Sequence, residues 1–532
     1  MISKKELIPH IIIFFLLFFS YYSSLIVGLS WDEIFHYING KLRFEYLKTF
    51  GEFKDYNYSN NIYYPGLYDT IVYIFGYVIR IINSNFFEIY FIEIKHTINF
   101  FFGALSIVGL YKLVKVFFNK KTAYLSCIFT LLNPFFFGHL GVNPKDIIIF
   151  FSYIYFIYFF LKYLDENKNK ISNLLYTSFF IGFGCGIRIS FLAIVFPIII
   201  FGLIFLIKNK KIKNHILYLI RDIIIALLII TLLTIITWPH IIDGGYKVFI
   251  ETVFKSLKWS AVPSYSLING EFYEIKNTPS TYFIEFIIYR MPFYSTFLIV
   301  LCYLIFLFDK KSIKEIYDKK FNIKFIILNL IIFYPLFTSI ILKINIYDNI
   351  RLFLFIIPFF GIISSISFLY LIKRYKTNFF SKIKLFFLIF LFIIFAIRFV
   401  SITPYHYTYV NYIYPKIENA NSKFEFDYWA LSFREIVINL KQVFKKEEIK
   451  NIKFAFCGGD PKALVYLLNK EYGLKKVYGT KNSDYIIMTN RASFKIDDKE
   501  TCFTKYPGKN ILEVSKQKLT FSVLRKLNKK KN

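Results

Sequence analysis

Long apolar segments are the feature that most constrains how this sequence can fold. Runs of about 18 or more predominantly apolar residues, the length of a membrane-spanning helix, recur from His10 to about residue 400. Hydrophobic residues make up 56% of the 532 residues, and the mean hydropathy is +0.48. Soluble proteins rarely reach these values because their surfaces need more polar residues. The sequence therefore predicts an all-α polytopic membrane protein.

The net charge indicates how the chain is oriented. A formal charge of +31 arises from 66 Lys and Arg residues against 35 Asp and Glu residues. Such a basic chain could bind nucleic acid, but its lysines cluster in short loops between the apolar segments. That distribution is typical of the cytoplasmic loops of membrane proteins. We therefore expect no nucleic-acid partner.

The apolar pattern predicts about eleven transmembrane helices and leaves one segment ambiguous. Residues 67–83 are apolar but interrupted by Asp69 and Arg80, so they could span the bilayer or lie along its surface. Counting them as a span would place the lysine clusters outside. The loop charges therefore favour the surface position, a cytoplasmic N-terminus and an extracytoplasmic C-terminus. The predicted spans are residues 8–29, 93–118, 122–140, 146–164, 172–187, 189–207, 215–238, 291–308, 323–342, 352–372 and 383–400.

The C-terminal quarter differs from the rest of the chain. Residues 401–532 are polar and alternate short β-like runs with helical runs, so we expect a small extracytoplasmic α/β domain. Cys457 and Cys502 lie in this domain and could form a disulfide if it is outside the cytoplasm. The membrane domain is predicted to cover residues 1–400, with large outer loops at 30–92 and 239–290.

Two adjacent carboxylates follow the first predicted span. Asp32 and Glu33 lie where the chain leaves the bilayer on its outer face, with His36 one turn later. A carboxylate at this position could accept the proton of a hydroxyl group or bind a metal ion. It could equally be a hydrated cap that ends a transmembrane helix.

A second charged motif precedes the predicted helix 146–164. Lys145 and Asp146 stand at its outer end, and His139 lies shortly before them. Lys145 could hold a phosphate where the helix N-terminus also attracts anions. The alternative is a well-formed helix start, because Asp146 complements the helix dipole.

Further candidates lie at other predicted helix ends. Arg351 has the planar guanidinium that suits a phosphate, although Asp348 could simply pair with it. Arg188 stands between two apolar segments, where a charge is costly unless it reaches the interface. His240 closes the seventh span and is more typical of an interfacial or hydrogen-bonded residue than of a base.

The common location of these groups indicates the substrate class more clearly than any single group does. Lys145, Arg188 and Arg351 all fall on the predicted outer face, as do the paired carboxylates. A substrate with an anionic head at the interface and an apolar tail in the bilayer fits this layout, and a lipid-linked phosphosugar is such a substrate. The cations would neutralise a phosphate leaving group while a carboxylate activates an acceptor hydroxyl.

An ordered set of motifs resembles the GT-C superfamily of polytopic glycosyltransferases. The similarity is greatest to the protein mannosyltransferase-like branch (glycosyltransferase family 39-like) and its bacterial relatives. Each motif is short, so the ordered set carries the resemblance. It comprises WDE at 31–33, YYPGLYD at 63–69, NPKD at 143–146, GIRIS at 186–190, WP at 238–239, TPSTYF at 278–283, YDNIR at 347–351, HYTYVNYIY at 406–414 and DYW at 427–429.

This resemblance implies transfer of a sugar from a polyprenyl-phosphate donor, usually with inversion, on the periplasmic side of a bacterial inner membrane. It implies that Asp32, with Glu33 beside it, is the base, that Asp146 is the second outer acidic residue, and that Arg351 contacts phosphate. The acceptor could be a protein, a lipid or a glycan. Metal use varies across the superfamily; Mg²⁺ or Mn²⁺ could bind at Asp32, Glu33 and Asp146.

Two other functional classes compete with this hypothesis. A lipid or solute transporter or flippase would have charges near the membrane midplane, broken helices and repeated halves. The sequence has few intramembrane charges and no repeated halves. A non-catalytic membrane scaffold with an α/β interaction domain is the third class. The one-sided distribution of charged motifs favours the glycosyltransferase.

Overall fold

Helices dominate the structure, as the apolar segments predict. A computed structural model describes residues 4–59, 61–165, 170–208, 216–258, 265–309, 311, 316–317, 321–375, 379–411, 417–492 and 499–527. Each of the eleven predicted spans overlaps a helix. These helices are Lys4–Ile26, Phe91–Phe117, Lys120–Leu131, Asp146–Leu164, Lys170–Ile187, Phe191–Lys208, Ile216–Ile235, Phe293–Phe308, Phe321–Ile341, Ile357–Tyr375 and Phe379–Ser401.

Fewer of these helices are long and apolar enough to cross a bilayer unaided. In the part of the chain that the structure describes, seven meet that condition, or eight if the bent pair Tyr282–Arg290 and Phe293–Phe308 is one span. The predicted span 122–140 is divided, because Asn133 and Pro134 begin a new short helix, Pro134–His139. The Asn133 side chain accepts a hydrogen bond from the backbone N of Phe136 at 3.0 Å, which caps that start.

Shorter helices fill the two large loops that the sequence predicts to be outer. The ambiguous segment forms the helix Leu67–Ile82, whose 16 residues are fewer than the roughly 20 needed to cross the hydrocarbon core. One face of this helix is buried and the other exposes apolar side chains such as Phe75 and Ile82, a pattern typical of a helix on a membrane surface. The other outer elements are the helices Trp31–Lys48, Ser84–Ile89, Pro239–Lys258 and Tyr282–Arg290, the 3₁₀ turns Asn61–Tyr63 and Ile275–Asn277, and the hairpin of β1 (Tyr265–Ile268) and β2 (Glu271–Glu274).

The C-terminal region contains a small mixed sheet. Its strand order is β3-β4-β6-β5, in which β3 and β4 are parallel and the other pairs are antiparallel. Cys457, at the end of β3, forms a disulfide with Cys502. The strands are β3 (Phe454–Cys457), β4 (Tyr485–Thr489), β5 (Asn510–Lys516) and β6 (Leu519–Lys526), and the accompanying helices are Phe433–Asn439, Lys446–Ile449, Pro461–Tyr472 and Cys502–Lys505.

The C-terminal region packs against the start of the first outer loop. The backbone N of Gly28 donates to Leu431 O at 2.9 Å, and Trp31 N donates to Trp429 O at 3.3 Å. A Cβ at Gly28 would lie 3.0 Å from Leu431 O, so glycine allows this close approach. Arg434 also donates to Leu25 O at 2.8 Å. These contacts place the segment that precedes the sheet beside the helix carrying Asp32.

Candidate active site

Asp32 and Arg351 form an ion pair between the starts of their helices. Asp32 lies in the first turn of the helix Trp31–Lys48, and its Oδ2 accepts a hydrogen bond from Arg351 Nη1 at 2.6 Å. The guanidinium also lies 5.3 Å from the ring centroids of both Tyr347 and Trp429. The Arg351 side chain is only 6% exposed, whereas that of Asp32 is 25% exposed. Arg351 is therefore fixed in place, and Asp32 remains accessible.

The surroundings of Asp32 keep its carboxyl group ionised. Burial alone would raise the pKa of Asp32, but electrostatic interactions with Arg351, His36 and Lys145 outweigh that effect. The pKa is held well below its usual range. At neutral pH the site therefore contains a carboxylate whose charge is balanced by neighbouring cations.

The adjacent carboxylate, Glu33, has a different environment. Its side chain is fully buried, its Oε2 accepts from Ser30 N at 2.7 Å, and its Oε1 lies 3.2 Å from His96 Nε2. Successive residues of a helix point about 100° apart, so Asp32 and Glu33 face different surroundings. Glu33 holds the start of this helix against the helix Phe91–Phe117, and its catalytic role beside Asp32 stays a prediction.

The Asn143–Asp146 motif is organised by its own side chains. Asn143 Oδ1 accepts from the backbone N of Lys145 at 3.0 Å and of Asp146 at 2.8 Å. Its Nδ2 donates to Asp146 Oδ2 at 3.0 Å. This turn directs Lys145 Nζ over the ring of Tyr64, 3.4 Å from its centroid.

Lys145 is a cation of the site whose protonation changes near neutral pH. Burial and the nearby charge of Arg188 lower the pKa of Lys145 to about 7, although Asp69, Asp32 and Asp146 act in the opposite direction. Arg188 itself lies 3.4 Å from Asp146, Nη2 to Oδ1, and is 25% exposed. Two of the three predicted phosphate-binding cations are thus adjacent to each other.

Asp348 links Arg351 to the C-terminal region. Its Oδ2 lies 2.9 Å from Arg351 Nη2, and its Oδ1 accepts from Arg491 Nη1 at 2.5 Å. Asp348 and Asn349 both have left-handed backbone conformations, with φ of 56° and 64°. Arg290 Nη2 donates to Asn349 Oδ1 at 3.1 Å. Long-range contacts therefore hold this turn in a conformation that non-glycine residues seldom adopt.

A cavity of about 580 Å³ opens beside these groups. Arg188, Tyr64 and Tyr347 contribute polar groups to its wall, while most of the lining is apolar, including Ile194 and Pro335. Lys145 lies against Tyr64 and Arg351 against Tyr347. The cavity thus combines a cationic end with an apolar body, as an amphipathic anionic ligand requires.

The three predicted histidines have different surroundings. His36 Nδ1 lies 2.9 Å from Asp69 Oδ2, and burial lowers the pKa of His36 even though Asp69 raises it. His139 bridges the Asn143 amide and the Tyr428 hydroxyl, at 3.2 and 3.1 Å. His240 begins the helix Pro239–Lys258, where its charged neighbours are Lys255, Arg43 and Asp243. His36 alone of the three is an electrostatic neighbour of Asp32.

Three buried arginines at or near the site were not singled out from the sequence. Arg43 donates to the carbonyl oxygens of Asn61 and Tyr64 and so fixes the segment that carries Tyr64. Arg290 and Arg491 hold the turn at Asp348 and Asn349. Their partners are distant in sequence and no local spacing relates them, so the sequence offered no signal for these roles.

The carboxylates predicted as metal ligands do not form a joint site. Asp32 is bonded to Arg351, Glu33 to Ser30 and His96, and Asp146 to Asn143 and Arg188. Over the residues that the structure describes, no group of three or more His, Cys, Asp and Glu side chains is arranged to hold a metal ion. The residues therefore do not fit a resident Mg²⁺ or Mn²⁺ ion bound jointly by Asp32, Glu33 and Asp146.

Comparisons with known proteins bear on the fold of the chain. Residues 70–238 match the family model for dolichyl-phosphate-mannose-protein mannosyltransferase. A search of curated proteins finds no significant sequence match. The apo structure of ArnT from Cupriavidus metallidurans superposes with a TM-score of 0.51 and 10% identity, covering 98% of each chain. The same protein bound to undecaprenyl phosphate gives a TM-score of 0.50 and 10% identity, covering 97% of each chain. The predicted GT-C fold of a polytopic membrane protein is confirmed.

Proposed function

We propose that this protein is a glycosyltransferase that takes its sugar from a polyprenyl-phosphate donor. The observation that carries the proposal is the partly exposed Asp32 carboxylate, paired with Arg351 next to a largely apolar cavity that has cations at one end. The family match over residues 70–238 and the fold shared with ArnT support it. The crystal structure of ArnT with undecaprenyl phosphate shows that a protein of this fold binds the lipid class we propose as donor carrier.

The donor would lie with its phosphate among the cations and its lipid in the cavity. Arg188 contributes to the cavity wall, and Lys145 and Arg351 lie behind the wall tyrosines Tyr64 and Tyr347. A polyprenyl chain buries apolar surface in the cavity, and the phosphodiester anion gains charge-assisted hydrogen bonds. These positions support the proposal that Arg188, Lys145 and Arg351 bind the donor phosphate.

Asp32 would act as the general base. It accepts the proton of an acceptor hydroxyl, whose oxygen attacks the anomeric carbon of the donor as the bond from that carbon to the phosphate oxygen breaks. The polyprenyl phosphate leaves with the bonding electrons, and its increased negative charge is stabilised by the cations. A single displacement of this kind inverts the anomeric configuration.

In this mechanism the basicity of Asp32 depends on whether it is paired with Arg351. Without donor, Arg351 satisfies the carboxylate and makes it a weak base. A donor phosphate competes for the same guanidinium, and loss of that contact raises the proton affinity of Asp32. The base would therefore become effective when donor is bound.

The site would face the periplasm of a bacterial inner membrane. The lysine-rich loops favour a cytoplasmic N-terminus and an outer position for the charged motifs. The Cys457–Cys502 disulfide belongs to the C-terminal region, and an oxidising compartment such as the periplasm favours such bonds. The acceptor, whether a protein, a lipid or a glycan, would approach Asp32 from that side.

The test uses purified full-length protein in lipid nanodiscs with a panel of polyprenyl-phosphate sugars, each assayed with a protein, a lipid and a glycan acceptor. We expect release of polyprenyl phosphate from at least one donor, and Asp32→Asn should lower the rate about 10²- to 10⁴-fold, the usual contribution of a general base. Asp55→Asn, at an exposed acid of the same outer loop, is the matched control and should keep the wild-type rate.

The outcomes separate the residue assignment from the function. Full activity in Asp32→Asn would reject Asp32 as the base. If wild-type protein consumes no donor on the panel but moves labelled polyprenyl-phosphate sugars between leaflets, the flippase alternative replaces the transferase. If it neither consumes nor moves them, the scaffold alternative is favoured.

A further inference from the structure

Arg491 is a residue of the C-terminal region that reaches the cationic centre of the site. It follows strand β4, and its side chain is 4% exposed. Its Nη1 donates to Asp348 Oδ1 at 2.5 Å, and its Nε lies 3.7 Å from Glu425 Oε1. A buried guanidinium is costly unless carboxylates surround it. Here it has two, and one of them is part of the candidate active site.

The contacts form a continuous chain from Arg491 to the proposed base. Asp348 divides its carboxylate oxygens between Arg491 and Arg351, and Arg351 in turn donates to Asp32. On the basis of the proposed function, we infer that Arg491 is a positioning residue for Arg351. The C-terminal region would thus be part of the donor-phosphate subsite and not a separable acceptor-binding module.

The backbone conformation of the turn at Asp348 explains why a positioning residue is needed. Asp348 and Asn349 adopt left-handed backbone conformations, which are strained for non-glycine residues. Arg290 and the Tyr282 hydroxyl hold Asn349, the latter donating to Asn349 O at 3.3 Å. Arg491 holds Asp348. Without it, Asp348 would have a single cationic partner and the turn leading into Arg351 would lose one of its restraints.

Arg491 is itself on a rigid support. Cys502 N donates to Arg491 O at 2.8 Å, and Ala492 N donates to Glu425 Oε1 at 2.8 Å. Cys502 is also joined to Cys457 by the disulfide. A charged group held just after a central strand and beside a cross-link can fix its partner more accurately than one on a free loop.

The experiment compares Arg491→Ala, Arg491→Lys and Asp348→Asn in full-length protein in nanodiscs, with the donor that the wild type uses. Arg491→Ala should lower kcat/KM up to about 100-fold, the effect of misplacing a catalytic group by about 1 Å. Arg491→Lys should recover part of that loss, because an ammonium can still reach one carboxylate oxygen. Lys509→Ala removes an exposed cation of the same region and should leave kcat/KM unchanged.

A double-mutant cycle tests whether Arg491 acts through Asp348. If it does, Arg491→Ala combined with Asp348→Asn should cost little more than either change alone, because both break one chain of contacts. Binding of undecaprenyl phosphate, measured directly as a Kd, should weaken in Arg491→Ala. If Arg491 had only a structural role, Arg491→Ala would lower Tm by the same amount with and without bound donor. The effects of the two substitutions on kcat/KM would then be additive.

The results distinguish the inference from the proposed function. A wild-type protein that neither turns over a donor nor binds undecaprenyl phosphate would overturn the function. An active wild type with unchanged kcat/KM and Kd in Arg491→Ala would overturn the inference alone. If Arg491→Ala cannot be purified folded, Arg491→Lys decides: a folded variant with wild-type kcat/KM and Kd would overturn the inference, and reduced values would support it.

Discussion

Two charged turns bring cations to the same site by different physical means. The turn at Asn143–Asp146 is held by its own Asn143 side chain, which bonds backbone and side-chain groups two and three residues away. The turn at Asp348–Arg351 is held by Arg491 and Asp32, which are 143 and 319 residues distant in sequence. Lys145 is thus placed by local structure, whereas Arg351 is placed by the assembled fold.

This difference gives the two cations different properties. Arg351 is multiply bonded by carboxylates and is always charged, so it provides a fixed fork for a phosphate. Lys145 lies on the Tyr64 ring with carboxylates farther off, and its pKa of about 7 makes its charge variable. We therefore expect Arg351 to hold the donor phosphate in a fixed orientation. We expect Lys145 to contribute a positive charge that depends on pH.

Between the two turns, the largest expected effect is that of removing the Arg351 guanidinium. Arg351→Ala should lower kcat/KM about 10²- to 10³-fold, the usual loss when one stabiliser of developing negative charge is removed. Lys145→Ala should lower it less, because a point charge near the phosphate contributes less than a bidentate donor. Steady-state kinetics over a range of donor concentrations measures both variants.

Conservative changes sharpen that comparison. Arg351→Lys should behave much like Arg351→Ala, since a lysine cannot bond Asp32 and Asp348 in the same planar geometry. Lys145→Arg should keep substantial activity at neutral pH. The comparison would fail if Lys145→Ala and Arg351→Ala lowered kcat/KM equally and both conservative variants restored the wild-type value. The two cations would then have the same role in donor binding.

The next largest effect is a pH dependence of the donor KM that arises from the titration of Lys145. Protonated Lys145 favours the anionic donor, and a phosphodiester keeps its single charge near neutral pH, so only the lysine titrates. As pH rises above about 7, the donor KM should increase by up to tenfold per pH unit, because binding must then include uptake of a proton. Below pH 7 the KM should be nearly constant.

Lys145→Arg tests the origin of this pH dependence. Arginine stays charged throughout the range, so the rise in donor KM above pH 7 should disappear. Arg351→Lys should keep the rise, since it leaves Lys145 in place. A wild-type donor KM that is independent of pH between 6 and 9 would contradict the assignment of a titrating charge to Lys145.

The same contrast explains how much the sequence could predict. Apolar periodicity gave the helices, and lysine-rich loops placed Asp32, Lys145, Arg188 and Arg351 on one face, because both signals are local. Glu33 could not be separated from Asp32, since only the packing of His96 shows which carboxylate is buried.

Long-range contacts account for what the sequence did not reveal. Arg491 could not be assigned, because its partner lies 143 residues away and the intervening chain must fold first. The Cys457–Cys502 pairing was left open for a related reason: two cysteines 45 residues apart pair only if the sheet brings them together. Such contacts hold the Asp348–Arg351 turn directly, whereas the Asn143–Asp146 turn is shaped by Asn143 and reaches Tyr428 only through His139.

The smallest effect on activity, and the most selective, should come from removing the disulfide. It supports Cys502, whose backbone N bonds Arg491 O, and it has no equivalent at the Asn143–Asp146 turn. A Cys457→Ala, Cys502→Ala variant should lose about 2–4 kcal/mol of stability in the C-terminal region. Its kcat/KM should fall by less than in Arg491→Ala, because the Arg491 side chain and its two carboxylate partners remain.

The pH dependence provides the internal control for this variant. The rise in donor KM above pH 7 should be the same as in wild type, since Lys145 is fixed by Asn143 and not by the C-terminal sheet. Hydrogen exchange should increase around residues 489–492 and 348–351 while residues 143–146 stay protected. Equal loss of protection at both turns would show that the site is one cooperative unit and that the distinction between a locally and a remotely held cation does not apply.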